Sequence, residues 1–193
     1  GEVVSLKGRW DPSCGEATAK NLSLPSEHEY APSHWGRFSG WDQLYQEHHL
    51  WKARQDGLVL LCEGEIDTLT GQAFDIPSAG LPGNQAIEKF ASRLGGIARI
   101  YDAGDNDDAT ESKMPRRLFA LQVANPEAIV YRLKLPDLSG KGKTDLNDFK
   151  VKFGGDRKSL LAHMATSTSA YSLLCDYHGK TFNEEDSEMR LKR

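Results

Sequence analysis

From residue 58 onward, short unbroken apolar runs alternate with segments of helical spacing, and this alternation constrains the fold more than any other feature. LVLLC (58–62) leads into IDTLTGQAFD (66–75), where Ile66, Leu69 and Ala73 recur at helical intervals. IPSAGL (76–81) precedes PGNQAIEKFASRLGG (82–96), with Ile87, Phe90, Ala91 and Leu94 in helical register. IARIYDA (97–103) precedes DATESKMPRRLFALQVAN (108–125), a helical segment disturbed by Pro115. AIVYRLKL (128–135) is followed by the helical segments KTDLNDFKVKFGG (143–155) and DRKSLLAHMATS (156–167). A five-residue apolar run has the ordinary length of a strand and is short for a helix. Its unbroken apolarity means burial on both faces, as in parallel strands covered by helices. The pattern predicts an α/β fold: about four strands in a mainly parallel sheet, flanked by helices and built from βαβ units.

The flanks read differently. Residues 1–57 hold a strand candidate at GEVVSLKGRW, a Pro/Ser/Gly/Ala-rich loop region and a predicted helix over 41–57. In that helix Trp41, Leu44, Tyr45 and His48 share a face, Asp42 lies near the start, and Gly57 is the stop. This predicts a small mixed α+β N-terminal subdomain over 1–57, a main domain over 58–167, and a charged C-terminal helix or tail over 168–193.

Bulk properties exclude several function classes. With 193 residues and 38% hydrophobic content, the chain supports one core of ordinary size. Its 24 basic and 28 acidic side chains give a net charge of −4, so no general basic field grips a polyanion. Such a partner has to be held by local patches or metal ions. No apolar run approaches the roughly 20 residues of a membrane span, and the first residues show no signal-peptide pattern. Cys14, Cys62 and Cys175 form no CxxC pair, which argues against a zinc site or a disulfide framework. The expectation is a cytoplasmic protein without a membrane partner.

The chemistry is concentrated in carboxylates. Asp102, Asp105, Asp107 and Asp108 fall within seven positions at the end of a predicted buried strand. In a parallel sheet, ligands bind beyond the carboxyl ends of the strands. That edge collects Glu63, Glu65 and Asp67 after the first strand, and Asp105, Asp107 and Asp108 after the third. It also collects Asp145, Asn147 and Asp148 after the fourth. Singly, each has a structural explanation: Asp67 complements a helix N-terminus, and residues 105–108 cap the next helix. Together they indicate a divalent cation. Hard oxygen donors without His or Cys nearby select Mg²⁺ or Mn²⁺. DLSGKGKT (137–144) nearly matches the phosphate-binding loop GxxxxGK[ST], but Asp137 stands at its first glycine, where it would repel phosphate. Lys141 and Lys143 remain candidates for contacting an anion.

LVLLCEGEIDTLT, IYDAGDNDDATE and GKTDLNDF resemble, in order and spacing, the three acidic motifs of the TOPRIM domain. The likeness is to primases of the bacterial, phage or plasmid primase–helicase type and covers residues 57–165. Residues 1–41 resemble more loosely the small subdomain that precedes it. The resemblance implies that Glu63 is the acid used in metal binding or acid/base work, with Asp67 the second acid of its motif. It implies that Asp105 and Asp107 are the DxD metal ligands, and that Asp145 is the later aspartate of the active site. Lys7, Arg9 and Lys143 would contact nucleotide or template. One departure is Thr110, which stands where the family has glycine; Asp102 is an additional carboxylate. The implied activity is that of a DNA primase catalytic core, a nucleotidyltransferase. It would make short RNA primers from NTPs on single-stranded DNA with Mg²⁺ or Mn²⁺. The implied partners are the template, a helicase and a zinc-binding primase module. The alternatives are TOPRIM nuclease or topoisomerase chemistry, or a non-catalytic module binding DNA or a replication partner, which Thr110 favours.

Overall fold

The computed structural model describes residues 7–9, 21–23, 43–82, 87–106, 108–138, 140 and 144–176. Contacts divide the chain into two units, residues 1–44 and 45–193. In the first, β1 (Lys7–Arg9) and β2 (Asn21–Ser23) pair antiparallel, with Gly8 opposite Leu22.

The second unit begins upstream of the first apolar run. The helix expected over 41–57 is shorter than its apolar spacing implied: α1 spans Leu50–Asp56, preceded by one 3₁₀ turn at Glu47–His49. Tyr45 does not join a helical face, because its backbone exchanges N–H···O bonds of 2.7 and 2.9 Å with Gly80. Gln46 then turns the chain at φ 61°. Gly57 ends α1 at φ 69°, as a left-handed C-terminal residue should.

The chain continues through β3 (Leu58–Cys62), α2 (Glu65–Ala73), β4 (Ser78–Gly80) and α3 (Ile87–Phe90), which runs into a 3₁₀ turn at Ala91–Leu94. Then come β5 (Arg99–Ala103), α4 (Asp108–Ala124), β6 (Ile129–Arg132), α5 (Leu146–Val151), α6 (Arg157–Ala165) and β7 (Thr168–Ser169). The sheet has five strands in the order β4-β3-β5-β6-β7. The first four are parallel, with Leu60 opposite Tyr101 and Tyr101 opposite Tyr131. The fifth strand, β7, lies in the segment expected to be tail and pairs antiparallel with β6. Two residues with no apolar pattern carry no strand signal of their own; pairing with Tyr131 and Arg132 makes them one. Residues 170–176 are helical.

Strand alternation sends the two sides of β3 and β5 into different cores. Leu60, Cys62 and Tyr101 pack with Phe74, Leu146, Phe149, Leu160 and Met164. Val59, Leu61, Ile100 and Asp102 face the other way and are also fully buried. The helical register expected over 82–96 is matched by burial of Ile87, Phe90, Ala91 and Leu94. In α2 the spacing of Ile66, Leu69 and Ala73 correctly indicates a helix, but that face is outward: Ile66 is 42% and Leu69 43% exposed. The buried face is made of Thr68, Thr70 and Gly71. Small residues let α2 lie close to β4. A Cβ on Gly80 would come within 2.5 Å of Thr68 Oγ1, and one on Gly71 would run into Ser78.

Candidate active site

Asp102 is fully buried in β5, on the side away from Tyr101. An uncompensated buried carboxylate is costly, and α4 supplies the compensation. Thr110, Met114, Arg117, Leu118 and Leu121 form its buried stripe, and Arg117 is only 2% exposed. Its guanidinium grips Asp102 bidentately, Nε to Oδ2 at 2.9 Å and Nη2 to Oδ1 at 2.7 Å. Its remaining arm, Nη1, donates to Glu63 Oε1 at 2.9 Å. Burial opposes the Arg117 charge, but Asp102, Glu63 and Asp105 outweigh it, so the guanidinium holds its proton more tightly than an ordinary arginine. The Gly104 N–H donates to Asp102 Oδ1 at 3.1 Å. A Cβ on Gly104 would lie 3.0 Å from Glu63 Oε1 and 3.4 Å from Arg117 Nη2, so glycine lets the β5–α4 turn close over this pair. Thr110 is buried beside them, its hydroxyl 3.5 Å from Glu63 Oε1.

A second buried arginine pins the same turn. Arg132 in β6 donates through Nη1 to the Gly104 carbonyl at 2.9 Å and the Asp102 carbonyl at 3.3 Å. Through Nη2 it reaches the Asp105 carbonyl at 2.9 Å, Asn106 Oδ1 at 3.2 Å and Glu111 Oε1 at 2.7 Å. Asn106 Nδ2 donates to the Leu135 carbonyl at 2.7 Å. The backbone that carries Asp105 is therefore held at several points.

The third set of acids arrives with α5. Asp145 caps it, accepting from the Asp148 N–H at 2.6 Å. Within the same first turn, the Asn147 N–H donates to Asp67 Oδ1 at 3.0 Å, docking the start of α5 against α2. Asp67 lies in the first turn of α2, which begins at Glu65 with Gly64 as its N-cap. Burial, followed by the negative charges of Asp145 and Asp105, raises the Asp67 carboxyl to about 6; the Asn147 bond works against the rise. Asp105, Asn106, Thr144, Asp145 and Asp148 line a small cavity.

The structure thus crowds Asp67 with the charges of Asp145 and Asp105, which line one cavity, and sets Glu63 beside Asp102 and Arg117. Asp107 and Lys143 lie outside the described residues, as do the side chains of Lys7, Arg9 and Asp108. The donor set suits a hard divalent cation: carboxylates and an amide oxygen, with like charges crowded enough to shift Asp67. Among the described residues, however, no three acidic, His or Cys side chains are grouped so that they could hold a metal ion. Sequence reasoning missed Arg117 and Arg132. The signal for Arg117 was present: an arginine sits on the apolar stripe of α4, nine residues after the acidic cluster ends.

No family model matches this chain, and no curated protein matches it in sequence. Among solved structures it is similar to the Aquifex aeolicus primase zinc-binding and RNA polymerase domains. There the TM-score is 0.68 and the identity 19%, over 98% of this chain and 43% of that one. It is also similar to the RNA polymerase domain of Mycobacterium tuberculosis primase DnaG. There the TM-score is 0.62 and the identity 15%, over 90% of this chain and 54% of that one. The chain shares their fold and spans about half, or less, of their length.

Proposed function

We propose that this chain is the catalytic core of a DNA primase, joining NTPs into short RNA primers on a single-stranded DNA template. The observation that carries the reading is the docking of α5 on Asp67, which groups Asp67, Asp145 and Asp105 at the carboxyl edge of a parallel sheet. The shared fold with primase RNA polymerase domains supports it.

In primer synthesis a 3′-hydroxyl loses its proton to solvent as its oxygen bonds to the α-phosphorus of an incoming NTP. The bond from that phosphorus to the bridging oxygen breaks, and pyrophosphate leaves with the electron pair. Bare carboxylates would repel both reactants. A divalent ion held by Asp67, Asp105 and Asp145, with Asp107 contributing, would lower the hydroxyl pKa and neutralise the departing charge. The chain's own contribution is rigid placement. Arg132 fixes the turn bearing Asp105, the Asn147 N–H orients Asp67, and Asp148 bonds the capping Asp145. Orientation of this kind supplies much of the rate in phosphoryl-type transfers.

The test is incubation of the protein with single-stranded DNA, labelled NTPs and Mg²⁺ or Mn²⁺. The expected products are short oligoribonucleotides that require template and cation. They should fall by about 100-fold or more in Asp105→Asn and Asp67→Asn, as befits groups at the reacting centre. Cleavage of the template would indicate a nuclease instead. Absence of product, with DNA binding indifferent to both substitutions, would indicate a binding module.

A further inference from the structure

A chain of net negative charge has to hold a polyanion by a local patch, and the turn between α5 and α6 supplies one. Residues 150–158 read KVKFGGDRK, four cations and one acid, in a chain with 24 basic and 28 acidic side chains. The turn is fixed at both ends. The Phe153 N–H donates to the Asp148 carbonyl at 3.3 Å and the Gly155 N–H to the Phe149 carbonyl at 2.8 Å. Gly154 takes φ 66°, and a Cβ on Gly155 would run into the Phe149 ring. Asp156 then opens α6 with a reciprocal cap to Ser159. None of this needs an exposed apolar side chain, yet Val151 is 70% and Phe153 37% exposed. Nor does it need Arg157 and Lys158, which occupy the first turn of α6, where cations oppose the helix dipole.

Packing widens the patch. Lys150 Nζ lies 4.3 Å from the centroid of the Phe74 ring. The next residue, Asp75, is bonded by Lys52 at 3.0 Å and also feels the charge of Arg157; together they hold its carboxyl below the usual range. The acids here are engaged: Asp75 by Lys52, Asp148 by Lys152 at 2.7 Å, and Asp156 as the helix cap. Cations remain in excess. Asp148 also lines the cavity with Asp105 and Asp145, so Lys152 joins the patch to the acidic edge. Cations that track phosphates, beside an exposed ring that stacks on unpaired bases, make a single-strand site. We propose that the α5–α6 turn, with Arg157 and Lys158 on phosphates and Phe153 against a base, is a docking surface for single-stranded DNA leading to the acidic edge. The choice of DNA rests on the primase reading; the surface itself does not, and it needs no cation.

The test is fluorescence anisotropy of the full chain with a labelled oligothymidylate of about 12 nucleotides, in EDTA, across a salt series, with primer synthesis measured alongside. Arg157→Gln combined with Lys158→Gln removes two phosphate contacts. At about 50 mM salt it should weaken binding at least about tenfold, and it should lower the salt slope by about 1.4, at about 0.7 per contact. Its Tm should hold or rise, because repulsion by the helix dipole is relieved, so lost binding is not lost folding. Phe153→Ala should weaken binding by about 5–150-fold, the worth of one stacked base, with the salt slope unchanged. Binding of the same sequence as a duplex should not respond to it, since paired bases offer no free face. Should either variant fail to melt cooperatively, Lys158→Gln alone and Phe153→Leu make the same comparison. A wild type that does not bind the oligonucleotide, or a folded variant of either kind that binds within twofold of the wild type, overturns the proposal. If both kinds lose binding while the wild type makes no primers, the surface stands and the primase reading fails. Primers made at wild-type yield by variants with unchanged binding overturn the surface alone.

Discussion

Asp67→Asn should stabilise the metal-free protein at neutral pH, although it alters a residue at the centre of the candidate site. The folded protein raises the Asp67 carboxyl from 3.8 to about 6, chiefly by burial and then by the charges of Asp145 and Asp105. Roughly two units at 1.36 kcal/mol each set an upper bound of about 3 kcal/mol on the penalty for ionising Asp67 in the native state. Partial exposure screens the neighbouring charges, so about 1–3 kcal/mol is expected. The sign follows from proton binding. Below pH 3.8 the carboxyl is neutral in both states and no penalty exists. Between 3.8 and 6 the native state keeps a proton that the unfolded state releases, so wild-type stability falls as pH rises. Above about pH 6 the penalty is complete. Asparagine is neutral throughout, and its carbonyl can still accept the Asn147 N–H. For a unit of this size, about 2 kcal/mol corresponds to a Tm gain of roughly 4–8 °C. The assay is differential scanning calorimetry in EDTA across pH 3.5–8. The variant should gain nothing over the wild type at the acid end and the full amount at pH 8. A variant no more stable than the wild type at pH 8, or a gap independent of pH, would refute the reasoning. Added Mg²⁺ should narrow the gap by compensating the wild-type charges.

Three further substitutions separate local structure from chemistry. Asp145→Ala removes the α5 cap and should cost about 1 kcal/mol in urea unfolding, while Asp145→Asn should retain it; both should abolish primer synthesis. Gly80→Ala should cost about 1–3 kcal/mol and lower the urea midpoint, because the new methyl meets Thr68 Oγ1 and the Tyr45 side chain. Leu69→Gln should change stability by less than about 0.5 kcal/mol, since Leu69 lies on the outward face of α2; a loss of 2 kcal/mol or more would contradict that orientation.

The parallel strands were legible because burial on both faces writes an unbroken apolar run into LVLLC and its counterparts, which needs no knowledge of partners. The carboxyl-edge rule then linked Glu63, Asp67, Asp105 and Asp145 before any contact was known. What periodicity could not tell was which face of α2 is buried. Ile66 and Leu69 satisfy helical spacing as well as Thr68 and Gly71 do, and only the closeness of β4 selects the smaller pair. Tyr45 likewise fitted a helical stripe until backbone pairing with Gly80 claimed it.

By itself, the sequence determined the α/β class, most of the elements and which acids follow the carboxyl ends of the strands. All of these follow from local spacing and from residue type. Only the tertiary structure decided how the negative charge is divided. Asp102, one of four clustered aspartates, faces inward and is neutralised by Arg117, fifteen residues away on the next helix. Asp67 is left crowded by Asp145, which arrives from a segment nearly eighty residues later. A carboxylate's role depends on the dielectric around it and on the charges within a few ångströms. Packing sets both, and neither has a period in the sequence.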